Sequence, residues 1–422
     1  MRSSLTKLQH LSVGLGVAIG VSVASILAVA TVPQRAGSAT VDATSPVSAS
    51  FLASGEGWIL SAYRCATGAC IKVDKTTNDG RSWTSLPLPA HLRTAANRPV
   101  ANYFPLVPEH IYFADAKNGW IYGSKQTNGS NSQNIGLANA EIWSTHDGGT
   151  TWSAVDVRAR GMKYDVLSVA AGARSVYAIG WLTGQSFGLW RSSVTTDSWR
   201  RLRTPTLNAA AGGSNMEGAL IFRGASGWLL VGNDRGATGS ARLTGSSRWV
   251  TWTPPCNSVG DSLAIPAATS ATTLVDVCTI GGFGGYVAPG TPHYLKLQSN
   301  WVFTSHDAGR TFVPTAQVVI NGSSEFLDPL LSLPASPSPG SILVARWVSH
   351  GLYLSDHLYL TRDGGTTWKS VYATAPKLFG PTLQFVSFAS SRLGYAIVQR
   401  TTASSALIIS RDGGRTWHAA VT

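Results

Sequence analysis

The chain has 422 residues, only 13% of them charged, with 44 Gly, 15 Trp and a formal net charge of +12. Many short strands joined by tight turns and packed through aromatic residues suit that mix, and at this length an all-β ring fits as one domain. No Lys/Arg run reaches five and no nucleic-acid module signature occurs, so nucleic acid is excluded as a partner. The basic balance either favours anionic partners such as acidic glycans, cell-wall polymers or lipid headgroups, or reflects arginine usage on a sparsely charged surface.

At the N-terminus, Arg2 and Lys7 precede an uncharged stretch from Leu11 to Val32, followed by the small residues Gly37-Ser38-Ala39. Residues 1–39 read as a signal peptide or an N-terminal membrane anchor, and the stretch is long enough for either. Both outcomes place the remainder outside the cytoplasm, secreted or anchored, with the membrane met only through this segment. Residues 40–47 read as a linker and 48–422 as the folded domain. Four Cys in an oxidising compartment predict two disulfides.

From Phe51 onward two phrases alternate in units of roughly fifty residues. The first is an apolar strand, a small turn, then Gly-aromatic and a second apolar strand. It is clear at Phe51 to Trp58, Phe113 to Trp120, Phe222 to Trp228 and Phe388 to Tyr395. Weaker copies lie at Val169 to Tyr177 and Ile265 to Val275, and Leu330 to Val344 is a copy interrupted by a Pro/Ser turn, Pro334 to Pro339. The second phrase is a hairpin motif, clean at Thr145 to Trp152, Thr361 to Trp368 and Ser410 to Trp417, with Phe replacing Trp at Ser305 to Phe312. Its copy at Thr77 to Trp83 reads as one residue shorter after Asp79, and in the third unit it decays to Thr195-Thr-Asp197-Ser-Trp199.

Each unit therefore predicts four strands: A and B around the Gly-aromatic turn, C ending at the Asp motif, and D starting at the closing aromatic. The closing aromatics Trp83, Trp152, Trp199, Trp252, Phe312, Trp368 and Trp417 count seven units. The expected fold is all-β, a seven-bladed β-propeller of four-stranded antiparallel blades. Six or eight blades stay open because units five and six are irregular. No strand is left over to complete the first blade, so closure is expected by packing of the last blade on the first.

The Asp motif has a structural explanation residue by residue. Asp79, Asp147, Asp307, Asp363 and Asp412 accept from turn amides, Ser or Thr two positions earlier pairs locally, Gly supplies positive φ, and Trp re-enters the sheet. Ser/Thr-x-Asp-x-Gly-x-Thr-Trp resembles the Asp-box, or BNR, repeat of sialidases, sortilin-like receptors and xyloglucanase-type glycosidases. Joined to the Phe…Gly-Trp phrase, it is most similar to bacterial propellers related to the photosystem II assembly factor. The resemblance spans residues 48–422 and implies fold far more than activity.

The sialidase chemistry that the resemblance raises needs an Arg-Ile-Pro phrase carrying one of three carboxylate-gripping arginines. The first unit instead has Tyr63-Arg64-Cys65 with no Ile-Pro after it. No Gly-x-Ser-x-Gly elbow and no His/Cys metal-ligand spacing occur, so neither metal nor cofactor is expected. The expectation is a non-enzymatic, extracytoplasmic propeller binding a protein or glycan partner; the alternative is a sialidase-like glycoside hydrolase.

If Asp-motif turns share one face, the B–C and D–A loops share the other. Pairing Cys65 with Cys70 and Cys256 with Cys278 puts both disulfides on that second face. Long B–C insertions in units two (Ser124 to Ala140) and five (Ile280 to His293) join them, the latter followed by Tyr294. Phe283, Tyr286, His293 and Tyr294 are candidate binding aromatics on these Gly-rich loops. Just before strand A, five units place an acid at one register: Glu109, Asp165, Glu217, Asp261 and Glu325, with Gln384 and Val47 in the others. These five would ring one mouth of a central channel, where clustered carboxylates raise one another's pKa unless a cation or a basic or hydroxyl-rich ligand neutralises them.

Overall fold

The computed structural model describes residues 44–420 except 66–67, 94–109, 127–137, 185, 206, 209–215, 234–235, 244–247, 257–265, 281–298, 321–334, 351–352, 379–382 and 402–403. Seven antiparallel sheets follow one another along the chain. Blade one is β1 (Ser45–Phe51), β2 (Gly57–Cys65), β3 (Gly68–Thr76) and β4 (Thr84–Leu86), followed by a single helical turn, α1 (Ala90–Arg93). Blade two is β5 (His110–Phe113), β6 (Gly119–Gln126), β7 (Ala138–Thr145) and β8 (Ser153–Val155). Blade three is β9 (Asp165–Gly172), β10 (Ser175–Thr183), β11 (Ser186–Ser193) and β12 (Arg200–Arg201). Blade four is β13 (Glu217–Arg223), β14 (Ser226–Asn233), β15 (Gly236–Leu243) and β16 (Trp249–Thr251). Blade five is β17 (Ala267–Ala268), β18 (Leu274–Ile280), β19 (Ser299–Ser305) and β20 (Val313–Gln317). Blade six is β21 (Ala335–Ser338), β22 (Ser341–His350), β23 (Tyr353–Thr361) and β24 (Lys369–Ala373), with β25 (Lys377–Leu378) added on β23. Blade seven is β26 (Leu383–Phe388), β27 (Gly394–Thr401), β28 (Ser404–Ser410) and β29 (His418–Ala419).

The first strand of most blades packs on the first strand of the next, so these strands are innermost. Side chains stitch them together. Ser48 and Ser50 Oγ accept from the amides of Ile111 and Phe113, Tyr112 Oη from Ala171, and Ser168 Oγ from Leu220. These bonds satisfy amides on the open edge of each inner strand, which no neighbouring sheet strand reaches.

Cores lie between blades. The Gly-aromatic phrase explains why: Trp58 on β2 stacks on Phe113 of the next blade, with centroids 3.6 Å apart, and donates its indole N–H to Gly148 O at 3.0 Å. Trp228 repeats this toward Ala308 O at 3.0 Å. The B-strand aromatic of one blade is thus anchored in the hairpin motif of the next. The ring closes as expected, by packing: Phe51 and Ile59 share a core with Tyr395, Ile397 and Ile409, and Arg411 donates to Asp79 O at 2.5 Å. β1 already begins at Ser45, inside the stretch read as linker, because the Pro46 carbonyl accepts from Ser405 of the last blade.

Three details of the repeat differ from the sequence reading. In blade one, Thr76 is the leading hydroxyl and Asn78 the acceptor, taking hydrogen bonds from Thr76 Oγ1 and the amides of Arg81 and Ser82. The motif is therefore full length, and Asp79, at φ 57°, is not its acceptor. In blade four, Trp249 rather than Trp252 closes the blade. It pairs with Leu243, the last residue of β15, and packs edge-on against Phe222 at 6.0 Å, as Trp152 packs on Phe113 at 6.1 Å. Trp252 instead donates to Gly309 O at 2.7 Å. In blades two, six and seven that carbonyl is held by the motif's own Trp, as Trp152 holds Gly149 O at 3.0 Å, a bond Phe312 cannot make. The Phe substitution is offset by an indole from the preceding blade. In blade six, the Pro/Ser stretch expected to interrupt the repeat is itself the inner strand β21, where Pro337 tolerates the missing N–H as edge strands do.

Candidate functional site

The antiparallel order of every blade places A–B and C–D turns on one face and B–C and D–A connections on the other. The hairpin motifs occupy the first face and are closed on themselves. Asp147 accepts from Thr145 Oγ1 at 2.8 Å, Thr151 N at 2.9 Å and Thr151 Oγ1 at 2.6 Å. Asp307, Asp363 and Asp412 repeat the pattern. Hydrogen bonds to the charged form hold such carboxyls low: those from Thr311 lead for Asp307, and those from Thr367 for Asp363. At Asp147 and Asp412 slight burial pulls upward, but the threonine bonds prevail and both carboxyls end below the usual range. Each such carboxylate thus uses most of its acceptor capacity within its own turn.

The second face carries both disulfides. Cys65–Cys70 bridges β2 to β3 with Cα atoms 5.9 Å apart, and Cys256–Cys278 ties the chain after β16 to β18 at 5.3 Å. Both were expected from the strand assignment. Beside the latter disulfide lies a residue that sequence reasoning missed. Asp276 is fully buried on β18; one oxygen accepts from Val277 N at 2.9 Å and the other has no hydrogen-bond partner. Burial pushes its carboxyl up to about 7. An acid inside the apolar run Leu274-Val275-Asp276-Val277-Cys278 was the available signal. Its carboxylate and the two Cys sulfurs lie within 4.8 Å of one another, but the sulfurs are bonded to each other and so are not thiolate ligands.

Of the five acids expected at the channel mouth, Asp165 and Glu217 are among the described residues; Glu109, Asp261 and Glu325 lie outside them, as do Phe283, Tyr286, His293 and Tyr294. Asp165 opens β9 and Glu217 opens β13, both innermost. Leu220 N bonds Ser168 Oγ at 3.1 Å, and Asp165 and Glu217 each stand three residues before that pair. Leu167 bulges between Asp165 and Ser168 on β9 while β13 runs regularly from Glu217 to Leu220, so the two acids open neighbouring inner strands without sharing one register. Burial pushes Asp165 up to about 6, partly opposed by the Val166 amide.

Aromatic and imidazole groups surround Asp165. Its strand partner is Trp181, half-covered by Tyr164 at a centroid distance of 5.2 Å, and Tyr164 N donates to Trp181 O at 3.3 Å. On the other side, His110 opens β5 and stacks on Tyr122 at 5.2 Å. Burial lowers His110 to about 4, so its imidazole is neutral through the physiological range. Burial also raises Tyr122, with a contribution from the nearby Asp165 charge. The starts of these inner strands therefore combine a carboxyl able to hold a proton near neutrality, a second acid on the adjacent strand, a neutral imidazole and one partly exposed ring, Tyr164, over buried Trp181 and Tyr122. Tyr164 next to Asp165 was visible in the sequence, but the rings of His110 and Tyr122 come from another blade.

A family model for the BNR/Asp-box repeat matches residues 408–419, the copy in blade seven. A search of curated protein sequences finds no match to the chain. Among solved structures, one match is a polysaccharide lyase described as PL25 ulvan lyase in complex with -[GlcA(1-4)Rha3S]-. It is 9% identical with a TM-score of 0.51, and covers 86% of this chain and 91% of that one. A second structure of PL25 ulvan lyase matches at 8% identity and a TM-score of 0.50, covering 86% and 91%. The GH74 enzyme of Niastella koreensis matches at 11% identity and a TM-score of 0.40, covering 89% and 71%.

The expectation of a non-enzymatic binding protein is corrected by the two PL25 ulvan lyases, enzymes built on this propeller fold. The missing Arg-Ile-Pro phrase argued against one chemistry only. A propeller draws its reactive groups from several blades, so no local motif need announce them. The narrower likeness to photosystem II assembly factor propellers rests on the sequence phrase alone.

Proposed function

We propose that this chain, a β-propeller with a BNR/Asp-box repeat in blade seven, is a carbohydrate-cleaving enzyme, a glycoside hydrolase working where the inner strands begin. The observation that carries this reading is Asp165, whose half-buried carboxyl is pushed up to about 6 at the start of β9, with Glu217 opening the adjacent inner strand β13. Glycosidic cleavage needs one carboxyl that keeps its proton to give to the leaving oxygen and a second that is ionised. Asp165 takes the first role. Glu217, as carboxylate, directs water or attacks the sugar carbon, and Asp165 recovers its proton from the water consumed.

Tyr164, partly exposed and backed by the buried Trp181 ring, supplies a ring face on which a sugar packs. The fold shared with polysaccharide lyases supports a polymeric substrate. The two disulfides support an extracytoplasmic place of action, and among the described residues no helix is long and apolar enough to cross a membrane. The test is release of reducing ends from a panel of neutral and acidic polysaccharides by purified protein. Turnover lost in Asp165→Asn with the fold intact is the expected result. Products bearing an unsaturated uronate would assign elimination instead, and a fully active Asp165→Asn would overturn the assignment of the acid.

A further inference from the structure

Blade three holds a cavity of about 610 Å³ outside the channel mouth. It exists because the chain after β12 leaves the edge of β11 and returns. Leu202 N donates to Leu189 O at 2.8 Å, and Phe187 N donates to Leu207 O at 3.0 Å, so residues 203–205 arch away between these two bonds. Leu182, Phe187, Gly188 and Asn208 line the space together with Arg201 and Arg203. No acid lines it, and neither arginine makes an ion pair among the described residues. Arg201 lies over the Trp190 ring at 5.7 Å. Gly188 is required beneath it, since a Cβ there would come within 2.5 Å of that ring.

The cavity is in line with Asp165. Asp165 pairs with Trp181 across β9 and β10, and Trp181 pairs with Phe187 across β10 and β11. Neighbouring strands lie ~4.8 Å apart, which puts Phe187 about 10 Å from Asp165 along one row. A saccharide chain held at Asp165 and running outward past Tyr164 reaches the cavity within a few residues.

We propose that this cavity is a subsite for an acidic sugar, one bearing a carboxylate or sulfate, of the same polymer that Asp165 cleaves. Two planar guanidinium forks without a protein counter-ion match the paired oxygens of such groups, and the basic chain attracts an acidic polymer. The inference rests on the hydrolase reading for its place in the reaction, but not for the binding itself.

Calorimetry with chondroitin sulfate tetrasaccharide, neutral cellotetraose and inorganic sulfate tests it. Arg201→Ala/Arg203→Ala should weaken the acidic tetrasaccharide by about tenfold or more and leave cellotetraose unchanged. Arg203→Ala alone, which does not disturb the Trp190 contact, should show part of the loss with an unchanged melting temperature. Asp165→Asn should retain the binding while losing turnover. Equal affinity for the acidic and neutral sugars, or binding untouched by both variants, overturns the subsite. Sulfate binding as tight as the tetrasaccharide would show an ion site only and likewise overturn it. Selective binding lost in the arginine variants, with Asp165→Asn still active, would sustain the subsite and refute the hydrolase assignment.

Discussion

The two faces of the propeller treat the same side chain in opposite ways. On the motif face, Asp363 is exposed and its carboxyl is held low by hydrogen bonds led by those from Thr367. On the other face, Asp165 is enclosed at the channel mouth and burial pushes it up to about 6. One aspartate is locked as an ion by its own turn, and the other is kept as an acid by the lack of one. Repetition and reactivity are thereby separated: a residue that recurs in every blade is bonded within its hairpin, whereas a residue poised for proton transfer sits where strands from different blades meet.

Asp165→Asn offers the strongest way to break this comparison. It should cut turnover by about a hundredfold to ten-thousandfold with little change in melting temperature. Asp363→Asn, the same change on the opposite face, should leave turnover at 25 °C intact. Comparable losses in both variants would erase the distinction between the faces.

Next in size is Trp249→Ala, which removes a buried ring packed on Tyr177 and Phe222 and should destabilise by ~3–5 kcal/mol in denaturant unfolding. Trp252→Ala should cost less and act through blade five, where Gly309 O loses its donor.

The pH dependences should diverge as well. Because Asp165 must hold its proton, turnover should fall as pH rises through about 6, with the descending limb absent in Asp165→Asn. The Asp-motif carboxyls have depressed pKa values when folded. Their stabilisation is present above the ordinary carboxylate range and is lost only as pH falls well below it.

The smallest expected effect concerns Asp276. Its folded pKa is raised to about 7, so between roughly 4 and 7 the native state binds more protons than the unfolded chain, and stability declines as pH rises. Asp276→Asn keeps the bond from Val277 N and should raise the melting temperature by a few degrees at pH 8 but not at pH 4. An equal change at both pH values would show that the buried charge is not the cause.

Much of the fold was legible because a propeller repeats its instructions. Phe113 with Gly119-Trp120 marks two strands and their turn, and Thr145 to Trp152 marks the next hairpin. Where a copy drifts, the reading drifts with it. Thr76-x-Asn78 was taken one residue late because Asp79 is the more familiar acceptor, although Asn offers the same oxygen. Trp252 was taken for Trp249 because spacing alone cannot say which ring finds the neighbouring Phe. The site was legible only in part. The register of Asp165 and Glu217 at the starts of inner strands could be counted. The His110 and Tyr122 rings, the buried oxygen of Asp276 and the arginine cavity could not, since each depends on contacts between distant segments.

Local sequence by itself determined the repeat and most of its strands and turns, because hydrogen bonds within a hairpin and the apolar alternation of a strand act over a few residues. The exact blade count and the cysteine pairings needed the assembled blades. Tertiary structure alone decided which aspartate is an acid. A carboxyl's pKa is set by what excludes water from it, and at Asp165 that enclosure is built by side chains from other strands that no local motif announces.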